Sequence, residues 1–400
     1  YNKRMKDVAV LDFGSGKLSF IVGVRSVDNC FVVKNYASIE YSGYYGGDWV
    51  SVDTLSDDVS EVISQSCFDF RQKTLFVAVP SEFTQVRLSG MVSDLGKKRC
   101  INSSILTQIH DKAEGITPSG YTALCSSALE YVLDGELSTV KPIGQYAQNI
   151  YAHMSYVFGK DEFIKTVYSI VTNLGFKDVK FVDGIWAEGG QLIDERARVN
   201  GAVLIDVGYA STTFALIKGD GIKYKKDKSF GSGFLIDGLA SAMGVEYEVA
   251  QSMFSQITLN IESDDKSVYR YEIGSRRYEC KAKDVNNFLH NKILTQLVDF
   301  ANDCIAEIKE QDETLSLDSS LTASKVGSIN LMTEFYLTGG GLSSIRGASQ
   351  FFARALGREV GILTGNMPGW DKPYQASAFA TMEVAEKMNR KNSLLEKLFG

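Results

Sequence analysis

The chain opens on three short apolar runs separated by polar turns. Val8–Leu11, Leu18–Val24 and Phe31–Ile39 predict three strands, the last alternating with the period of two of a half-buried strand. The tight stretch Asp12-Phe13-Gly14-Ser15-Gly16 joins the first two. Val52, Leu55, Val59 and Val62–Ile63 repeat at helical spacing and predict a helix over Val52–Ser66. Leu75–Val79 is a continuous apolar run closed by Pro80, the mark of a buried strand. The same plan returns later. Ala202–Ile205 is apolar, Asp206-Val207-Gly208-Tyr209-Ala210-Ser211 is the turn, and Thr212–Ile217 is the return strand. Gly219–Gly221 then turns into Ile222–Lys226. A repeat of this kind predicts two related halves facing each other.

Between the repeats, Ser81 to Gly159 reads as an insertion: strand Thr84–Met91, helix Ser103–Ala113, strands Leu124–Leu133 and Ile150–Phe158. After the second repeat, Phe234–Met243 and Tyr247–Phe254 look helical. A strand pair over Tyr269–Lys281 precedes a long amphipathic helix, Val285–Glu310, and a polar Ser-rich loop over 312–328. Strand Glu334–Leu337 ends in Thr338-Gly339-Gly340-Gly341, and a helix from Ser343 to Leu356 is stopped by Gly357. A last helix is expected over Tyr374–Met388.

Composition narrows the function classes. The 400 residues suffice for more than one domain, and 44% hydrophobic with 23% charged residues is the balance of an ordinary globular protein. A formal net charge of −7 gives a nucleic-acid partner no electrostatic support. No apolar run reaches the roughly 18–20 residues of a membrane span. The start, Tyr1 to Val8, is polar and basic and does not read as a signal peptide. The six cysteines form no CxxC pair and the histidines stand alone, so neither a disulfide framework nor a zinc site is expected.

The chemistry lies in three Gly-rich turns, each after a strand. Glycine lets a backbone approach phosphate oxygens without a Cβ, and successive N–H groups form an anion nest. Asp12 and Asp206, one on each half, could hold a hydrated Mg2+ between them. Gly14, Ser15 and Gly16 in the first turn, and Gly208, Tyr209, Ser211 and Thr212 in the second, are the candidate phosphate contacts, with Lys17 placed to neutralise phosphate charge. Gly339, Gly340 and Gly341 would lie against a base or ribose. Each turn alone reads more simply as a hairpin or loop; the combination in this order is the specific signal.

These motifs resemble the phosphate-1, phosphate-2 and adenosine motifs of the actin, Hsp70 and sugar-kinase superfamily. Within it the chain is similar to the bacterial cell-division family FtsA. Asp12-Phe-Gly-Ser-Gly-Lys17 looks like that family's Asp-Ile-Gly-Thr-Ser-Lys, and Leu337-Thr-Gly-Gly-Gly-Leu342 like its Leu-Thr-Gly-Gly-Gly-Ala. Tyr131-Val-Leu-Asp134 and Lys141-Pro-Ile-Gly144 resemble a stretch of its inserted subdomain. The resemblance implies an α/β fold of the actin-like/RNase H-like duplicated type, two lobes around a nucleotide cleft, with an FtsA-type 1C (SHS2-like) insertion. Subdomain 1A would comprise 1–80 and 160–200, 1C 81–159, 2A 201–237 and 332–388, 2B 238–331, and a membrane-targeting tail 389–400. ATP and Mg2+ are the implied cofactors.

Departures from the family pattern favour ATP binding over rapid hydrolysis. Tyr209 and Ala210 replace two glycines of the second turn, and Thr213 replaces an acid. The family's ribose-side Glu-x-Ala-Glu-x-x-Lys becomes Glu248-Val-Ala-Gln-Ser-Met-Phe254, which keeps Glu248 and loses the lysine. Hydrolysis needs an oriented water and a base. Asp12, Asp206 and Glu188 are the candidates, although Glu188-Gly-Gly also reads as a surface loop.

At the end of the chain, Leu394, Leu395, Leu398 and Phe399 share one helical face bordered by Lys391 and Lys397, which suits an anionic membrane surface. A helix packed on the protein's own core is the plainer alternative. The resemblance implies peripheral attachment to the cytoplasmic face of the membrane at the septum, self-assembly into filaments, and capture of the C-terminal peptide of FtsZ in 2B. Arg276, Arg277, Lys281 and especially Lys292 are the basic candidates for that acidic peptide, as well as ordinary solvated charges. A PilM-like pilus-assembly scaffold, whose second turn can carry a similar pattern, and a small-molecule kinase are the competing readings.

Overall fold

The continuous apolar strands are central to two sheets of the same design. The computed structural model describes residues 7–25, 31–66, 74–112, 117–260, 266–317, 329–365 and 371–399. In the first sheet the order is Asp178–Asp183, Thr74–Val79, Val8–Phe13, Lys17–Arg25, Phe31–Glu40. Val8–Phe13 runs parallel to Thr74–Val79 and antiparallel to Lys17–Arg25. The second sheet runs Val360–Ile362, Glu334–Thr338, Ala202–Val207, Thr212–Lys218, Gly221–Lys228, with Ala202–Val207 parallel to one neighbour and antiparallel to the other. Both are three-stranded meanders extended by two parallel strands. The repeat read in the sequence is therefore a duplication of topology.

Burial on both faces explains the unbroken apolar runs. Ala9, Leu11 and Phe13 pack with Leu55, Val59, Phe163 and Val167 from helices Val52–Ser64 and Asp161–Asn173. Val8 and Val10, on the opposite face, pack with Ala378, Ala380, Met382 and Ala385 from the last helix, Ala376–Phe399. Alanines at these positions let that helix lie close to the strands. The sequence assigns 332–388 to the second half; this helix instead lies on the first sheet, because its apolar face is complementary to Val8 and Val10. Helix Gly184–Leu192 sits between the sheets, giving Ala187 to one core and Ile185 to the other.

The insertion is a four-stranded sheet in the order Thr84–Cys100, Tyr146–Lys160, Tyr121–Leu133, Leu137–Thr139, with helix Ser103–Lys112 on one face. Its first strand runs past Met91, where the sequence reading ended it. The polar segment after Ser93 is absorbed as a bulge: Ala147 pairs with Arg99 and Asn149 with Asp94, leaving Gly96 looped out at a φ of 73°.

The amphipathic helix expected over Val285–Glu310 is one helical path with an internal break: Ala282–Phe288, a π-helical turn Leu289–Leu294, then Thr295–Leu317. The helix expected from Ser343 begins only at Ala348. Gly347 holds a φ of 88°, which ends the preceding turn, and Ser343 donates to Gly339 O rather than capping a helix.

Candidate functional site

The equivalent strand ends of the two sheets bring the first and second turns into direct contact. Gly14 N donates to Lys17 O at 2.9 Å, and Gly208 N donates to Ser211 O at 2.9 Å, so both turns are closed the same way. Ser15 Oγ accepts from Ala210 N at 3.0 Å. The Tyr209 ring lies over Gly16, where a Cβ would come within 3.0 Å of it. The third turn backs the second: Gly341 N donates to Val207 O at 2.7 Å, and Gly339 lies against Asp206 Oδ1.

Carboxylates converge behind these turns. Burial raises Asp12 to about 6, an effect partly offset by the hydroxyl of Ser377, which donates to Asp12 Oδ1 at 2.8 Å. Burial, and then the charges of Asp12, Asp227 and Glu82, raise Asp206 to about 7. Glu188 is not in a surface loop. It is buried in helix Gly184–Leu192, accepts from Thr338 Oγ1 at 3.0 Å, and is pushed well upward by burial and by Asp206. The helix that carries it is started by Asp183, which accepts from Trp186 N. Among the described residues, no group of three acids, histidines or cysteines is arranged to hold a metal directly. The excess of buried negative charge still suits a cation held through water by Asp12 and Asp206.

Both aspartates favour the protonated form when folded, so their contribution to stability falls as the pH rises from about 4 toward 7. An Asp206→Asn variant is expected to show a flatter fall in thermal midpoint between pH 5 and pH 8 than the parent. Parallel pH profiles would exclude the raised titration.

The remaining candidates separate into contacts already used and groups on the surface. Thr212 Oγ1 donates to Phe230 O at 2.7 Å, so its hydroxyl is engaged within its own lobe. Lys17 is exposed, its ammonium 5.2 Å from the Tyr374 ring. Gly340 lies against Tyr374 Cβ. Glu248 is exposed in the first turn of helix Tyr247–Phe254. Lys292 is exposed on the π-helical turn, and Arg276, Arg277 and Lys281 are exposed on the strand Arg276–Lys281. Arg277 pairs with Glu272 at 2.8 Å. The backbone of the last helix reaches Phe399, but the side chains of Leu394, Leu395, Leu398 and Phe399 lie outside the described residues.

Asp227, Ser81 and Glu82 contribute to the site and were not singled out in the sequence. Thr213, where the resemblance expects an acid, pairs across the ladder with Asp227 and donates to its Oδ1 at 2.7 Å. The neighbouring strand thus returns a carboxylate next to the lost position. Ser81 Oγ, from the first half, donates to the same oxygen at 2.5 Å. Glu82 accepts from Gly46 N; burial raises it, and the nearby Ser211 hydroxyl offsets part of the shift. Alternating strand register would have pointed to Asp227, whereas only docking of the lobes brings in Ser81 and Glu82.

No family model and no curated protein matches the chain. Solved structures do match along nearly its whole length. That of a PilM–PilN type IV pilus biogenesis complex is 13% identical with a TM-score of 0.59, covering 95% of this chain and 98% of that one. MreB 5 of Spiroplasma citri bound to AMPPNP is 12% identical with a TM-score of 0.58, covering 98% and 99%. A MamK double helical filament is 9% identical with a TM-score of 0.54, covering 95% and 98%. At these identities the likeness establishes the fold alone, which the chain shares with these three structures over nearly its whole length.

Proposed function

We propose that this chain is an actin-like scaffold that takes Mg-ATP between its two hairpin turns and self-associates into filaments. The observation that carries the reading is the placement of Asp12 and Asp206 at equivalent ends of duplicated sheets whose turns touch, near enough that the charge of Asp12 helps to raise Asp206. Asp12 and Asp206 would hold Mg2+ through water, and Lys17 with the turn amides would face the phosphates. Bound Mg-ATP would supply charge on which the two lobes close. Thr213, in place of the acid that the resemblance expects, removes a carboxylate that could position water or metal, which favours binding over fast hydrolysis.

The narrower reading is the FtsA type: a peripheral protein on the cytoplasmic face of the membrane that tethers FtsZ filaments at the septum. The motifs Asp12–Lys17 and Leu337–Leu342, with Lys141-Pro-Ile-Gly144, support it. No helix among the described residues is long and apolar enough to cross a membrane, so attachment in this reading rests on the tail. A PilM-like pilus-assembly role is the second reading, supported by the Asp206–Thr213 pattern and by the PilM–PilN structure among the neighbours.

Electron microscopy on a lipid monolayer with Mg-AMPPNP is expected to show filaments that Asp206→Asn abolishes. Filaments unchanged in that variant would remove the cleft from the mechanism. Deletion of 392–400 is expected to abolish co-sedimentation with anionic liposomes; undiminished sedimentation removes the tether. Binding of an FtsZ tail peptide, reduced by Lys292→Glu, distinguishes the division role from the pilus role.

A further inference from the structure

We propose that Tyr209 is a plug for the nucleotide cleft, so that the phosphate tail enters only when this side chain leaves. The inference rests on the nucleotide-binding reading above and specifies how that site is regulated.

Tyr209 touches both lobes. Its ring packs on Gly16 in the first turn, and it also reaches Gly233, where a Cβ would lie 3.1 Å from Cζ. Its hydroxyl is 2.8 Å from the Tyr247 hydroxyl, on the helix that carries Glu248. Its carbonyl accepts from Gly233 N at 2.8 Å, fixing the backbone beneath the ring. Glycine at 16 and 233 leaves room for the ring at both contacts, where a Cβ would come within 3.0 and 3.1 Å of it. A phosphate tail lying between the first and second turns must pass over Gly16, and the ring is already there. The adjoining Ser15–Ala210 hydrogen bond joins the two groups that would otherwise face phosphate oxygens.

Tyr209 is 42% exposed, so the plug is a lid at the cleft surface and not a core residue, and it can swing out without unpacking either sheet. A single neutral hydrogen bond to Tyr247 and packing on Gly16 and Gly233 hold it, which is a closure that a bound nucleotide can open.

Titration calorimetry with Mg-AMPPNP on the full chain tests the proposal. Tyr209→Gly is expected to bind about tenfold more tightly than the parent, since the ligand no longer works against the closed ring. Tyr247→Phe, which loosens the ring without enlarging the space over Gly16, is expected to tighten binding by a smaller factor, on the order of threefold. If the parent binds and Tyr209→Gly binds equally or more weakly, the plug is wrong while the nucleotide reading stands. If no form binds, both are wrong. A Tyr209→Gly chain too unstable to measure leaves Tyr247→Phe as the deciding variant, and unchanged affinity there overturns the plug.

Discussion

Replacing Gly339 by alanine is expected to destabilise the protein by about 4 kcal/mol, at the extreme of what a single methyl group does. Gly339 holds a φ of 85°, which an L side chain rarely adopts. The added Cβ would come within 2.0 Å of Asp206 Oδ1 and 2.5 Å of Val207 O. Neither neighbour can retreat easily. Val207 O already accepts from Gly341 N, and Asp206 is enclosed by the site. The variant should therefore lose stability and nucleotide response together. Gly357→Ala is the control: it shares the positive φ, at 63°, but has open space around it, and about 1 kcal/mol is expected there. Urea denaturation midpoints of the two variants decide the point. Equal losses would mean that backbone conformation, not the packing of the third turn on the second, sets the cost.

Lys225→Met is expected to cost about 3–5 kcal/mol, because it strands buried carboxylates. The Lys225 side chain is 4% exposed and lies 3.4 Å from Asp227 Oδ2. Its ammonium donates to Ser81 O, Thr84 O at 2.9 Å and Thr84 Oγ1 at 2.8 Å. Thr84 in turn donates to Asp183, which is raised by burial and partly restored by the charge of Lys225. One cation thus joins the outer strand of the second sheet to the turn that opens the insertion. Adding Asp227→Asn to Lys225→Met should recover part of the loss, since it removes one of the charges left behind. A double variant as unstable as the sum of the singles would show that the pair is not coupled.

The duplicated sheets were legible because their central strands Val8–Phe13, Thr74–Val79 and Ala202–Val207 are buried on both faces and so write nearly uninterrupted apolar runs. Asp12 and Asp206 were legible because each closes such a run before a glycine turn. The docking of the last helix was not: alanines such as Ala378 and Ala380 carry little hydrophobic signal, and their value comes from close approach to Val8 and Val10. The helix start at 343 is not distinguishable in the sequence, because a serine two positions before an apolar residue looks the same whether it caps a helix or, as here, ties back to Gly339. Ser81, Glu82, Ser377 and Lys225 join the site only across elements remote in sequence, and no local spacing encodes that.

The last helix has a mechanical consequence. Its first turn holds Ser377, bonded to Asp12, and its backbone continues unbroken to Phe399. Twenty-four residues of helix make a rod of about 36 Å. Because the same rod is seated on Val8 and Val10 through Ala378, Ala380, Met382 and Ala385, its axis and the position of the Ser377 hydroxyl against Asp12 are set together.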